Sequence, residues 1–384
     1  MKKLIAILAL VALVSGAAFA QIGANVIGTI VIAQDGYDAD EDKDIVVGGG
    51  EMNRVRLQGA GENEEGTFGA WIRAEMAPGY VDESTWWEGL AWWKPIDQLK
   101  LTIGGNSDGI YGKEGVTGWM FYQMVSDTDV VNPNNVWYAP GGYYFTGFDV
   151  DDDDDWGLQY RHAFFGGFDG QGLMLDIMPM DMLTINIALP FIDMAGAETA
   201  DIFKSMIAQV DLNLDFGNIA VTYIGDASDA TNGMVFAYFN LAAVENLSLD
   251  VGLSYIMPGD FEGFPIFAGL GAKYDVNDAF GLKVRTVAAF GGDEDWGMDG
   301  FRLLFDVLPY YQINDNMKFC ASVGIGMFSH DALEDNIFGW HVNPYIEIGN
   351  EWGPTFYAGL KVWNNGTKDA DVQWALPIAI GVSF

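Results

Sequence analysis

The last residues of this chain alternate without a break. Val372, Trp374, Leu376, Ile378, Ile380, Val382 and Phe384 share one face, and Gln373, Ala375, Pro377, Ala379, Gly381 and Ser383 share the other. A period of two held over thirteen positions predicts one long β-strand, greasy on one side and small or polar on the other. Strands in water-soluble sandwiches are usually about half this length. A strand that crosses a bilayer needs about 9–11 residues, with lipid against one face and a wet interior against the other.

The same period recurs along the chain. It predicts strands at Ile22–Ala33, Leu99–Gly105, Met206–Leu214, Leu247–Tyr255, Phe264–Tyr274, Phe280–Phe290, Phe301–Gln312, Met317–Phe328, Ile337–Ile348 and Pro354–Trp363. Short connections carry turn chemistry, as in Asp215-Phe216-Gly217-Asn218 and Asp275-Val276-Asn277-Asp278. Longer ones are acidic and Gly-rich, as in Gly291–Gly300, Ser329–Asn336 and Asn364–Asp371. The two kinds alternate strictly, which is the layout of a barrel with short turns at one end and long loops at the other. The expected fold is therefore all-β: a transmembrane antiparallel β-barrel of about 18 strands, with a range of about 16–20. The range comes from Asn106–Gln171, which reads as one long loop or as a loop with an added hairpin around Trp156–Phe165. A soluble β-helix would need a short fixed repeat, and the sequence has none.

The first twenty residues read as a secretory signal. Lys2 and Lys3 precede an apolar run from Leu4 to Val14, and Ala18-Phe19-Ala20 forms an A-x-A cleavage site. The expected division is 1–20 as signal peptide and 21–384 as a single barrel domain beginning at Gln21. Beyond Gln21 no run of 18 or more apolar residues free of charge occurs, which excludes a helical membrane protein. The lone Cys320 excludes a disulfide scaffold. A net charge of −36 and a pI near 4.1 argue against nucleic acid as a partner.

Charge is sorted along the chain. Arg54, Arg56, Arg73, Lys94, Lys100, Lys273, Lys283, Arg285, Arg302, Lys318 and Lys361 all lie in predicted strands, mostly opposite the apolar face. A Lys or Arg facing lipid at the midplane costs about 2–4 kcal/mol, so these side chains are expected to face water inside. Arg54, Arg56, Arg73, Lys100, Lys283, Arg285 and Arg302 are the candidate basic wall. Glu75, Asp211, Asp250, Asp306 and Glu347 join them on the same faces. So many inward charges favour an aqueous channel over a dry plug. Acids crowd the loops, in Asp35–Asp44 and in the block Asp149, Asp151, Asp152, Asp153, Asp154 and Asp155. Such a rim raises the local cation concentration at a pore mouth. No cofactor is expected. Asp38-x-Asp40-x-Asp42 offers alternate oxygen ligands of the kind Ca²⁺ takes, yet it lacks the Gly and Glu that complete an EF-hand loop. The aromatic pairs Trp86-Trp87, Trp92-Trp93, Tyr143-Tyr144 and Tyr310-Tyr311, with Trp363, read as interface girdles.

This layout resembles the general diffusion porins of bacterial outer membranes. In that family the loop after the fifth strand folds into the lumen, and its acidic residues face a basic ladder on nearby strands. Here the longest loop, 106–155, follows Leu99–Gly105, the fifth predicted strand, and Arg54, Arg56, Arg73 and Lys100 lie on strands before it. The resemblance implies a constricting role for 106–155, a location in the cell outer membrane, outer-membrane lipid as surroundings, and a homotrimer. It also implies that Phe384 acts as the terminal aromatic read by the barrel assembly machinery. The family's usual loop motif is missing, and Pro140-Gly141-Gly142 is a fragment of it at most. The rim is also far more acidic than the family's familiar members.

Catalytic motifs are absent. No G-x-S-x-G, H-E-x-x-H or P-loop occurs. His330 sits between Ser329 and Asp331 on an expected loop, but sequence neighbours do not make a triad. His341 reads as an inward wall residue. The chain is thus expected to be no enzyme. The function expected is passive diffusion of small polar solutes and ions through an aqueous channel. The alternative is an adhesin or interaction barrel acting through its acidic loops.

Overall fold

The computed structural model describes residues 21–34, 46–47, 50–76, 85–105, 172–189, 199–225, 233–241, 243–257, 266–291, 300–330, 337–349, 354–364 and 372–383. Twenty strand segments form one sheet. They are β1 (Gln21–Gln34), β2 (Val46–Val47), β3 (Gly50–Glu62), β4 (Phe68–Met76), β5 (Thr85–Ile96), β6 (Leu99–Gly105) and β7 (Gly172–Met180). Then come β8 (Leu183–Leu189), β9 (Ile207–Leu214), β10 (Gly217–Gly225), β11 (Gly233–Leu241), β12 (Leu247–Met257), β13 (Ile266–Asp275) and β14 (Phe280–Gly291). The last are β15 (Gly300–Asn314), β16 (Met317–His330), β17 (Ile337–Ile348), β18 (Pro354–Gly359), β19 (Lys361–Asn364) and β20 (Gln373–Ser383). A short helix, α1 (Thr199–Lys204), precedes β9.

Apart from β2/β3 and β18/β19, successive segments pair antiparallel with one another, and β1 pairs with both β3 and β20, which closes the sheet. β2 and β3 follow one another along β1. β18 and β19 both lie between β17 and β20 and are parted only by Leu360. The twenty segments therefore make eighteen staves. Closure matters because lipid offers no hydrogen bonds, and a closed ladder leaves no open edge. β6 pairs directly with β7, from Leu99↔Ile177 to Gly104↔Gly172. Leu99–Gly105 is thereby the fifth stave, and the alternative hairpin around Trp156–Phe165 lies outside the described residues.

The turns at one end are tight and locally encoded. Asn63 Oδ1 accepts the backbone N–H groups of Thr67 at 2.8 Å and Phe68 at 3.0 Å, and Gly66 takes the left-handed φ of 63° that lets the chain reverse. Asn246 holds φ 63° in the β11–β12 turn, a conformation that Asn tolerates better than most residues. Register shifts at Trp93/Ile96, Ile177/Met180 and Gln312/Asn314 fall beside three of these turns.

Alternation sets the two faces of the wall. Val210, Val221, Val251, Leu253, Phe305, Val323, Val342 and Ile380 are exposed on the outside. Arg73, Thr102, Asp176, Asn186, Gln209, Asp211, Asp250, Asp306, His341 and Lys361 are buried on the inside. A water-soluble sheet sorts its residues the other way; this arrangement is stable only where the outer medium is apolar. At the short-turn end Phe68, Trp93, Phe216, Tyr274, Phe280, Tyr311 and Phe319 are exposed and form an outer aromatic belt.

Some sequence expectations change here. Adjacent strand residues point to opposite faces, so an aromatic pair cannot sit wholly in a girdle. Trp93 and Tyr311 face out, whereas Trp92 lies over Gly69 and Tyr310 bonds to Asp275 on the inner wall. Trp363 is likewise buried inward. Ser329 and His330, expected on a loop, are the final residues of β16, with His330 paired to Gly300. The signal segment, the acidic blocks Asp35–Asp44 and Asp149–Asp155, the loop 106–155, Tyr143-Tyr144 and Phe384 lie outside the described residues.

Candidate functional site

The inner wall is the candidate site, and it has three sectors. In the first, β3 to β7, Arg73 is 1% exposed, and its guanidinium carbon lies 5.5 Å from the Trp71 ring centre. Its backbone partners are Gln58 on one side and Glu88 on the other. Lys100 Nζ sits 3.5 Å from Asp176, whose other oxygen accepts Asn186 Nδ2 at 2.9 Å. Arg54 and Arg56 stand on the same face by register, Arg56 opposite Glu75.

The second sector, β8 to β12, has no Lys or Arg on its staves. Neutral donors hold its carboxylates. Asp250 accepts the Tyr238 hydroxyl at 2.9 Å and Asn240 Nδ2 at 2.7 Å, and Asp211 accepts Asn218 Nδ2. Thr222 donates to Gln209 at 3.0 Å.

The third sector, β13 to β19, carries most of the cations. Lys273 and Lys283 are direct cross-strand partners. Arg285 stands opposite Asp306, and Arg302 opposite Ala289, both on the inward register. Lys318 pairs with Glu347 at 2.7 Å, and Lys361 lies 5.2 Å from the Trp363 ring centre. The seven basic-wall positions therefore all take inward register, distributed over five staves rather than gathered at one place.

A cluster that sequence reading missed joins three staves here. Ser322 donates to Asp306 Oδ2 at 2.7 Å, while His341 Nε2 lies 2.8 Å from the Ser322 hydroxyl and 3.1 Å from that same carboxylate oxygen. All three side chains are buried. Nucleophilic relays place hydroxyl and carboxylate on opposite ring nitrogens. Here both meet Nε2, so the carboxylate does not orient the ring behind an attacking serine. The arrangement braces β15, β16 and β17. Gly324 makes room for it, because a Cβ there would press on His341. The signal in sequence was only that Asp306, Ser322 and His341 occupy inward parity.

Charge is also sorted along the barrel axis. The staves carry eleven Lys or Arg and ten Asp or Glu, close to neutrality. The eight short connections carry nine acids and no base. The nine long ones carry thirty-five acids and five bases, a net −30 of the chain's −36. Among the described residues no group of three or more His, Cys, Asp or Glu is placed to hold a metal ion. No described helix is long and apolar enough to cross a membrane.

Solved structures share this architecture. The anion-selective porin from Comamonas acidovorans aligns over 95% of this chain and 100% of its own, with 12% identity and a TM-score of 0.51. An engineered mutant of the Rh. blastica porin covers the same shares with 12% identity and a TM-score of 0.49. No family model and no curated protein matches the sequence. The chain has a porin-like fold, a closed antiparallel barrel with short turns at one end and long loops at the other.

Proposed function

We propose that this protein is an outer-membrane channel for passive diffusion of small polar solutes and ions. The observation that carries the reading is the sorting of the wall: apolar residues outside, and inside carboxylates held by bases in the first and third sectors and by neutral donors in the second. Water is the medium that stabilises such an interior, and a hydrated interior open at both ends conducts.

In this reading residues 1–20 direct export and are removed, and Phe384 is read during assembly. Arg54, Arg56, Arg73 and Lys100 form the basic side of a constriction opposite the loop 106–155. The loop-end acids, net −30, concentrate cations at that mouth, while the inward bases oppose them, so the channel is mildly cation-selective. That sets it apart from the anion selectivity in the Comamonas porin's name. The proposed assembly is a homotrimer, which crosslinking in native membranes tests.

Planar-bilayer recording of the purified protein tests the channel. Stable steps with a reversal potential on the cation side are expected. A correctly folded barrel that gives no steps would overturn the channel and favour a surface protein acting through its acidic loops.

A further inference from the structure

At the short-turn end of the third sector the inner wall holds a hollow of about 560 Å³. Its floor is apolar: Leu308, Cys320 and Tyr345 are buried together, with Tyr310 and Tyr357 packed against them. Its rim carries both signs of charge. Lys318 pairs with Glu347 at 2.7 Å and Lys273 with Asp275 at 3.0 Å. Tyr310 ties the two pairs together. Its hydroxyl donates to Asp275, and the Lys273 and Lys318 ammonium groups each lie 6.0 Å from its ring centre. Lys283 and Asp278 complete the lining with one further charge of each sign.

Three features choose the ligand. Charges of the rim are matched, three ammonium groups to three carboxylates, so a simple anion or cation meets as much repulsion as attraction. The paired side chains keep a quarter or more of their surface exposed, and pairs this wet exchange readily with charges a solute brings. The floor is a buried apolar cluster that a fully polar solute would leave unused.

We infer that this hollow binds a small zwitterion with an apolar side chain, of the free amino-acid class. The solute's carboxylate meets Lys318 or Lys273, its ammonium meets Glu347 or Asp275, and its side chain lies on Leu308, Cys320 and Tyr345. No bond forms or breaks. The hollow is a station on the path through the barrel, so the inference rests on the channel reading.

The test records single channels of the full mature protein in KCl with phenylalanine added from either side. N-acetylphenylalanine, which keeps the carboxylate alone, and phenethylamine, which keeps the ammonium alone, serve as comparisons. Phenylalanine should produce transient closures at about tenfold lower concentration than either, since each lost charge-assisted contact weakens binding by about that factor. The neutral double variant Lys318→Gln with Glu347→Gln should lose about tenfold in apparent affinity, and its own open steps in the same recording show that it has assembled. Lys273→Gln is the second variant, expected to weaken block in the same sense. Equal block by a one-charge analogue, or no closures in an open channel, overturns the inference. If the protein gives no open steps at all, the channel reading fails. Saturation-transfer NMR with phenylalanine on the detergent-solubilised barrel then decides the hollow alone, a signal sustaining it and silence overturning it.

Discussion

Lys100 and Asp176 are direct cross-strand partners on β6 and β7, and their side chains meet at 3.5 Å on the inner wall. The fifth and sixth staves thus pair directly, although the chain between them, 106–171, is the longest connection in the sequence. Stability of the barrel rests on ladder pairing and on the sorting of faces, and both are complete without this segment.

It follows that replacing 110–165 with a short Gly-Ser linker should leave a barrel that still shifts on heating in gel electrophoresis. Its single-channel conductance should rise if the loop narrows the lumen. Unchanged conductance would make the loop an external feature.

Much of the wall was legible in sequence because a long strand repeats one simple period. Ile337–Ile348 matches β17 at both ends, and the terminal alternation from Val372 became β20 between Gln373 and Ser383. Pro354–Trp363 appeared as two segments because Leu360 interrupts one stave. Which residues meet was not legible. Tyr310 and Asp275 are far apart in sequence, and their bond depends on the register of β13, β14 and β15. Ser322, Asp306 and His341 depend in the same way on two registers, which alternation does not specify. The fifth-stave position of the long loop came from family resemblance as much as from period.

Two residues of one size should behave oppositely across the wall. Leu253 is exposed on the outer face at the middle of β12, so Leu253→Arg places a guanidinium in lipid and should cost about 2–4 kcal/mol in unfolding from detergent or bilayer. Gln58 is exposed on the inner register beside Arg73, so Gln58→Arg should leave stability unchanged within about 0.5 kcal/mol. Equal losses from the two would contradict the assignment of faces.

Gly281 should be hard to replace. A Cβ there would overlap the Tyr310 ring and hydroxyl, which fixes Asp275. Gly281→Val should destabilise by about 1–3 kcal/mol, read as a lower midpoint of the heat-induced gel shift. Tyr310→Phe, which keeps the ring and loses only the hydrogen bond to Asp275, should cost about 1–2 kcal/mol. A fully neutral Gly281→Val would mean that the ledge around Tyr310 repacks without strain.

Deleting Phe384 should reduce the amount of assembled barrel and leave the conductance of each assembled channel unchanged. Val382 pairs with Val26 and Ser383 with Asn25 at the seam where the first and last staves meet. Quantifying the heat-modifiable band in outer-membrane fractions reads the first effect, and bilayer recording reads the second. Normal assembly without Phe384 would remove its role as a signal.

The final prediction concerns selectivity and separates Arg73 from its neighbours. Arg54 and Arg56 stand on the inward register of β3, and Arg56 faces Glu75. Converting both to Gln removes two positive charges from a wall whose staves are nearly neutral, beside a mouth of net −30. The K⁺/Cl⁻ permeability ratio should rise by about two- to threefold, because a charged, narrow wet gap sustains potentials of a few kT. The rise should fade at about 1 M salt, where the screening length shrinks to about 3 Å. Arg73 is fully buried and stacks near Trp71, so Arg73→Gln should also lower stability, by about 1–2 kcal/mol. Reversal potentials in a KCl gradient, with unfolding midpoints measured alongside, distinguish the two effects. A double variant at Arg54 and Arg56 whose reversal potential equals the wild type's at low salt would show that these arginines do not face the ion path.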